Sequence, residues 1–571
     1  MKILDNIYLY GGWKAMAVSA CLLPFLVSYL VTTITSVIAV HSKKNDKLPA
    51  IDPSADFILG NLLPFSFDTR GYMAHLIKRF GPHVPVRIRV ASDSFYFVSG
   101  PEYVLKLFRG SRDLTAIPAM AAIVERIFGA PPEASSVLLD DNTGTSPKPL
   151  PGSNPLPADQ RYHHISHQAY TDNLTGVRLA EVVTRFLTNL GTELDKVDMG
   201  TNEWLEIPDL YSFVQNAVFN ANTLALCGSH IFEINSTFTE DFWNFDSQVG
   251  GPLKGIPRFF LPGAYKIRDK MVKSILEWHK SAEAHVDHDD KELDKKSWEP
   301  YYGSRLFQDR ARHLSKINGF GDQAHAANDL GLIWGANSNS IPTIAWCILD
   351  IIRRPDLLSQ VQAELASITK LHPTANLDQQ MPDLLSNLLL QSIYCEELRL
   401  RNAAALQRST VSSNFKLGPW RFPKEAMILA SIWFAGHDKN VWNEGSNGEH
   451  DVDSFWPDRF ILYPNNPYSG PRKSYSGKHP SEKITKPKLT TDTVSGSWIP
   501  YGGGQQICPG RFYAKQESIG SIAMFLSKFD IELTGNINPE PDFKYFSLGV
   551  LPPKGKFPAR LRRRSGKLPS K

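Results

Sequence analysis

The sequence predicts a mainly α-helical domain with small β-sheets, preceded by one N-terminal membrane helix. Three observations predict it. Residues 15–40 hold no charged side chain. Residues 331–353 are mostly apolar and of helical length, 384–400 read as a helical stretch, and the apolar run 521–525 follows on a helix starting near Pro509. Short β-branched and aromatic runs at 86–90 and 95–98 flank a turn, as a hairpin does. Of 571 residues, 42% are hydrophobic and 21% charged, enough apolar material for a large core. The 62 basic and 58 acidic residues leave a net charge of only +4, so composition points to neither nucleic acid nor acidic polymer as a partner. Five cysteines, odd in number, widely spaced and without a CxxC pair, argue against a disulfide framework and a structural zinc site.

In chain order, residues 15–40 exceed the roughly 20 needed to cross a bilayer core. A cleaved signal peptide would have a shorter apolar stretch and a small-residue cleavage site. Lys43, Lys44 and Lys47 follow directly, and the positive-inside rule then places the rest in the cytosol. Residues 1–47 form an anchor and 48–571 a single domain with a basic C-terminal tail. Pro24 is tolerable within such a helix, and the sequons at Asn173 and Asn235 stay unmodified in the cytosol. Leu48, Pro49 and Pro53 mark a stiff connector, followed by a helix over 72–80 and the hairpin. Residues 131–159, rich in Pro, Gly and Ser, read as a long surface loop. His163 and His167 would share a helix face, but the Glu of HExxH and a third ligand are missing, so no metal site is expected there. The apolar helix over 331–353 is interrupted by Asn337, Ser338, Asn339 and Ser340 just before Pro342, which predicts a distortion. Residues 422–433 read as a turn and a strand, 463–497 as a solvated insertion, and Arg560, Arg562, Arg563 and Arg564 as a solvated tail.

Cys508 stands in Trp498 Ile499 Pro500 Tyr501 Gly502 Gly503 Gly504 Gln505 Gln506 Ile507 Cys508 Pro509 Gly510 Arg511. The glycines let the backbone approach a large flat object, and a helix starting near Pro509 puts the sulfur where N–H groups and the helix dipole favour thiolate, the metal-binding form. A lone Cys in a glycine-rich turn is most often an inert thiol. The full pattern, with Tyr501, Gly504, Gly510 and Ala514 around Cys508, resembles the haem-binding loop of the cytochrome P450 family, whose cysteine thiolate holds haem iron.

The resemblance runs from about residue 48 to 558 and implies the P450 fold with heme b as cofactor. It implies that Cys508 is the iron ligand, with Tyr501 and Gly504 in the loop's aromatic and glycine positions. Glu396 and Arg399, three apart on a helix, and Arg459 in Pro457 Asp458 Arg459 Phe460 match the family's buried structural triad. Arg408 holds the position from which a haem propionate is met. Ser340 matches the hydroxyl of the helix that crosses the oxygen-binding face. Asn339 stands where an acid is usual, so protons would come through Ser340 and ordered water. Gln506 departs from the usual Arg or His, and the Trp and Arg that often meet the haem edge from the 161–167 region are not paired here, although Arg161 lies nearby. The stretch from Trp334 to Pro342 and the run Leu548 Gly549 Val550 Leu551 Pro552 Pro553 look most like the branch containing steroid 7α-hydroxylases and prostacyclin synthase.

The function so implied is a membrane-anchored haem-thiolate monooxygenase of the endoplasmic reticulum. It would draw electrons from an NADPH-dependent flavoprotein reductase and insert one atom of O2 into a lipophilic substrate, a sterol, terpenoid or polyketide-derived compound of a specialised biosynthetic pathway. The missing acid at Asn339 also permits a haem-thiolate isomerase or dehydratase that needs no reductase. A non-catalytic haem- or sterol-binding membrane protein is the more distant alternative.

Overall fold

The computed structural model describes residues 2–110, 113–200, 202–285, 296–473, 484–535 and 537–564, with side chains from residue 18 onward. Two compact units emerge, Met1–Ala116 with Ala405–Ala435, and Ile117–Ala404 with Gly436–Lys571.

The first unit begins with helix α1 (Lys2–His41), which carries Pro24 inside it. Its segment Val18–His41, 24 residues, is long and apolar enough to cross a membrane, which fits an anchor. The Lys47 ammonium bonds the carbonyls of Val40 at 3.3 Å and Ser42 at 2.8 Å. That complements the negative end of the helix dipole. Beyond it lies a six-stranded sheet in the order Ala50–Ile51, Val86–Val90, Asp93–Val98, Met427–Ser431, Ala405–Thr410, Leu114–Thr115. The predicted hairpin supplies its second and third strands, with Val86 opposite Phe97. Met427–Ser431 runs parallel to Asp93–Val98. The strand expected over 427–433 stops at Ser431 and becomes the helical turn Ile432–Gly436.

The second unit is mainly helical. Its helices nearest the site are α2 (Leu210–Cys227), α3 (Phe238–Asp246), α4 (Pro262–Glu283), α5 (Arg305–Leu314), α6 (Asp322–Asn337), α7 (Ser340–Ile352), α8 (Leu388–Arg401) and α9 (Arg511–Lys528). α7 packs against α2, α8 and α9, and Ile341, Ile344, Ile348, Ile522 and Phe525 between them are fully buried. Helices α6 and α7 are the two halves of the helix expected over 331–353, parted at Ser338 and Asn339. Pro342 has no N–H to offer the Ser338 carbonyl four residues back, so the helix breaks there. The helix expected over 384–400 is also divided, because the Asn387 side chain accepts from the Leu390 N–H at 2.9 Å and caps α8. Asp329 on α6 ties three helices together in the core. Its Oδ1 accepts from Arg310 Nε on α5 at 2.8 Å, while Oδ2 lies 3.0 Å from His279 Nε2 on α4 and 3.2 Å from His325 Nε2. With Arg310 already meeting the carboxylate charge, this His-His-Asp cluster reads as a buried ionic tie.

Two further expectations need correction. Residues 131–159 are not one loop, because Pro132–Asp140 is a helix with proline at its first position, where a missing N–H costs nothing. The loop after it is fastened rather than loose. Arg161, 3% exposed, donates to Thr143 Oγ1 at 2.9 Å and to the carbonyls of Ser146 and Pro147 at 2.6 Å. His163 Nε2 bonds Leu138 O at 2.9 Å and His164 Nδ1 bonds Thr145 O at 3.0 Å. The basic tail keeps its arginines partly in solvent but is ordered: Ala559–Arg563 is the middle strand of a three-stranded sheet, between Phe529–Leu533 and Leu205–Ile207. Arg560 and Arg562 pair across it with Glu532 and Asp530. Within the insertion at 463–497, residues 474–483 lie outside the described residues, and Lys488–Leu489 returns to pair with Ile461–Leu462. Both sequon amides are engaged, Asn173 Nδ2 with Ala169 O at 2.9 Å and Asn235 Nδ2 with Asp241 at 3.0 Å.

Candidate active site

The turn that carries Cys508 is held by its own backbone. The Cys508 N–H donates to Tyr501 O at 2.9 Å and the Gly502 N–H to Ile499 O at 3.0 Å. Gly502 and Gly504 both sit at φ +70°, a conformation that favours glycine, whereas Gly503 is extended. Helix α9 starts at Arg511 with Gly510 as its cap, so Cys508 lies just before the helix rather than in its first turn. Burial pushes the Cys508 thiol up, while the N–H groups of Gly510 and Arg511 and the Arg511 charge pull it back. The net direction is upward, so the free sulfur stays a thiol and the N–H donors would meet the thiolate form that ligates iron. The donor set therefore fits a haem held through one cysteine. Gly510 clears less space than expected, since a Cβ there would stand 3.9 Å from Cys508 Sγ, an ordinary contact. The turn is pinned to α8 from several sides. Tyr501 and Tyr394 share a hydroxyl–hydroxyl bond at 2.7 Å, Trp498 Nε1 donates to Cys395 O at 3.2 Å, and Asn402 Nδ2 donates to Pro500 O at 3.1 Å.

The triad predicted from the sequence comes together in space. Glu396 accepts from Arg399 Nε at 2.7 Å and Nη2 at 2.8 Å, from Arg459 Nε at 2.9 Å and from the Trp456 N–H at 3.1 Å. The remaining guanidinium donors reach carbonyls, Arg399 those of Gly436 at 2.7 Å and Val452 at 2.8 Å, Arg459 those of Asn443, Asp451 and Ser454. All three side chains are buried. Burial alone would raise the Glu396 carboxyl, but the two guanidinium charges overcome it and hold it below the usual range.

At the helix break, Ser340 Oγ donates to Ala336 O at 2.9 Å. The Asn339 side chain is committed elsewhere: its Oδ1 accepts from the Val550 N–H at 2.9 Å and clamps that segment onto the break. The fit is close, because a Cβ on Gly549 would stand 2.0 Å from that Asn339 oxygen. Gly549→Ala will therefore lower stability by about 1–3 kcal/mol in chemical denaturation. In an Asn339→Gly background the same change will cost distinctly less, the signature of a direct contact.

Sequence reasoning missed Glu517. It lies on α9, fully buried, and neither carboxyl oxygen has a hydrogen-bond partner among the described residues. Burial pushes it up to about 8, with the Ser340 hydroxyl beside it working in the other direction. The available signal was a glutamate on the stripe that carries Tyr513, Ser521 and Met524, a face otherwise without charge. Arg408 belongs to the first unit. It is 8% exposed on the strand Ala405–Thr410, where Nη1 donates to Gln407 O at 2.8 Å and the guanidinium lies 5.8 Å from the Phe108 ring centre.

The sequence profile of the family described as Cytochrome P450 matches residues 101–559. Two similar relatives are Cytochrome P450 monooxygenase efuG of Hormonema carpetanum, 34% identical over 95% of each chain, and Cytochrome P450 monooxygenase fsoE of Humicola fuscoatra, 34% identical over 98% of this chain and 97% of that one. Cholesterol 7-alpha-monooxygenase of Cricetulus griseus is 24% identical over 68% of this chain and 73% of its own.

Proposed function

The chain belongs to the cytochrome P450 family, oxidoreductases that use haem b, and on that premise we propose that it inserts one oxygen atom into a polycyclic lipophilic compound, with Cys508 as the iron ligand. The observation that carries the reading is the Cys508 sulfur, presented on a glycine turn and met by the N–H groups of Gly510 and Arg511. Sterol or terpenoid scaffolds fit best, since one relative is named for its action on cholesterol; a polyketide-derived scaffold would be read out by the same assay. Haem bound through a thiolate supplies dioxygen activation and the electron push that favours O–O cleavage. Tyr501 and Gly504 would shape the turn that carries Cys508. Glu396, Arg399 and Arg459 fix α8 and thereby the turn. The apolar α1 anchors the enzyme in the endoplasmic reticulum membrane with Lys43, Lys44 and Lys47 on the cytosolic side, where an NADPH-dependent flavoprotein reductase is the electron source.

Ser340 and Glu517 take part in the proton steps at α7. With Asn339 committed to Val550, the neutral Glu517 carboxyl holds a proton next to the Ser340 hydroxyl, and Ser340 passes protons toward the reacting side of α7. The test is consumption: with reductase present, NADPH and O2 will disappear in step with product when a sterol or terpenoid panel is added. Product formed without either would favour the reductase-independent isomerase or dehydratase reading, which the occupied Asn339 permits.

Glu517→Gln gives a second outcome in two parts. An ordinary glutamate titrates near 4.5 and this one near 8, so the folded state binds the proton more tightly and stability falls as pH rises from about 4.5 to 8. Holding it neutral at pH 7 costs about 3 kcal/mol. The Gln variant will be more stable than the parent at pH 7 in urea denaturation, with a flatter pH profile, yet will form less product per NADPH.

A further inference from the structure

A narrow, water-sized cleft opens against the helix break, on the face where Trp334, Ser338 and Pro342 follow one another four residues apart. Asn339, Tyr211, Trp243, Asp246, Tyr545 and Val550 complete its principal lining. Its breadth excludes a polycyclic ligand, but its polar groups are unsatisfied in a way that calls for water. Ser338 Oγ and Trp243 Nε1 are buried and have no hydrogen-bond partner among the described residues. The Ser338 carbonyl faces Pro342, which has no N–H to give it. Asp246, at the end of α3 and 8% exposed, accepts from Trp334 Nε1 at 2.8 Å through Oδ1 alone. Water held by two to four such groups is a normal part of a folded interior.

We infer that this cleft is a water-filled proton inlet, and that Asp246, reaching in from α3, is the acid that feeds the helix break in place of the acid absent at Asn339. The inference rests on the monooxygenase reading, because that chemistry consumes protons at this break. The transfer moves no electrons. Asp246 gives its proton to water in the cleft, that water gives one of its own to the Ser338 hydroxyl, Ser338 passes its former proton to water at the break, and bulk water reprotonates Asp246. The group is suited to the task, since burial pushes the Asp246 carboxyl up to about 7, with the Trp334 N–H and the Lys544 charge working against it. Tyr211 and Tyr545, the other titratable groups close to it, are both raised by burial and stay neutral around pH 7. An acid near pH 7 can both give and regain a proton there. Asp246 acts through water and Ser338, so it is a proton-supplying residue rather than a catalytic one.

Infrared difference spectroscopy across pH 5–9 on the haem-loaded protein tests the inlet directly. The parent will show a protonated-carboxyl band that titrates near neutrality and disappears in Asp246→Asn. The same variant will lose at least ~10-fold in product per NADPH, lose the parent's ionisation near pH 7 from the coupling profile, and recover part of both in Asp246→Glu. Ser338→Ala will lower coupling while leaving the Asp246 band in place. The inlet is overturned if the band persists in Asp246→Asn, or if coupling and its pH profile are unchanged in both variants. Should Asp246→Asn fail to load haem, the Ser338→Ala coupling decides alone, an unchanged value overturning the inlet. The reduced carbon-monoxide spectrum of the parent separates the two levels. Its absence removes the haem-thiolate reading itself, whereas its presence with unchanged coupling removes only the inlet.

Discussion

Glu396→Ala will cost about 3–5 kcal/mol and will leave little haem-loaded protein. Among the described residues the carboxylate is the only ion-pair partner of two buried guanidiniums, those of Arg399 and Arg459. Removing it leaves two cations facing each other with only carbonyl oxygens for partners. Breaking a buried pair by deleting one partner is expensive for that reason, even where the intact pair contributes little net stability. The loss will extend to the Cys508 turn, because α8 also carries Tyr394, which bonds Tyr501, and Cys395, whose carbonyl receives Trp498. Chemical denaturation alongside haem retention on a desalting column measures both. The pH dependence has a fixed sign. Glu396 is held below its ordinary value, so its contribution is complete above the usual glutamate range and is lost as pH falls through the depressed value. An Ala variant that is as stable and as haem-replete as the parent would contradict the triad's structural role.

Legibility in the sequence followed the range of the physics involved. The Cys508 turn was readable because positive-φ glycines and a cysteine before a helix are local features, and Gly502 and Gly504 do adopt that conformation. Glu396 and Arg399 were readable as a helical pair, but nothing local tells a buried pair from a surface one; Arg459 entered only through resemblance. The second break, at Asn387, was hidden in an apolar run that looked continuous, although asparagine is a strong helix cap. The tail was misread from its charge. Residues Ala559 and Leu561 alternate with Arg560 and Arg562, a strand pattern whose inward positions are buried and whose arginines find Glu532 and Asp530 on the neighbouring strand. The proline-rich segment was misread from composition, since Pro132 starts a helix and the nearby Arg161 binds loop carbonyls. The protonation of Glu517 and Asp246 was beyond reach because burial, which sets it, is a tertiary property.

Cys508→Ala will abolish the haem-thiolate state while leaving the fold in place. The sulfur makes no disulfide, and the turn is held by backbone bonds and by Tyr501, Trp498 and Asn402 contacts that an alanine at 508 does not touch. A Cβ at 508 is retained, so no backbone strain is added. What disappears is the sulfur proposed as the iron ligand, whose thiolate form the N–H groups of Gly510 and Arg511 favour against burial. Monooxygenase activity will fall to background, and circular dichroism will match the parent. The decisive measurement is the reduced carbon-monoxide difference spectrum of the parent and Cys508→Ala side by side. The account predicts the thiolate-ligated haem band in the parent and none in the variant; a variant that keeps the band would contradict it.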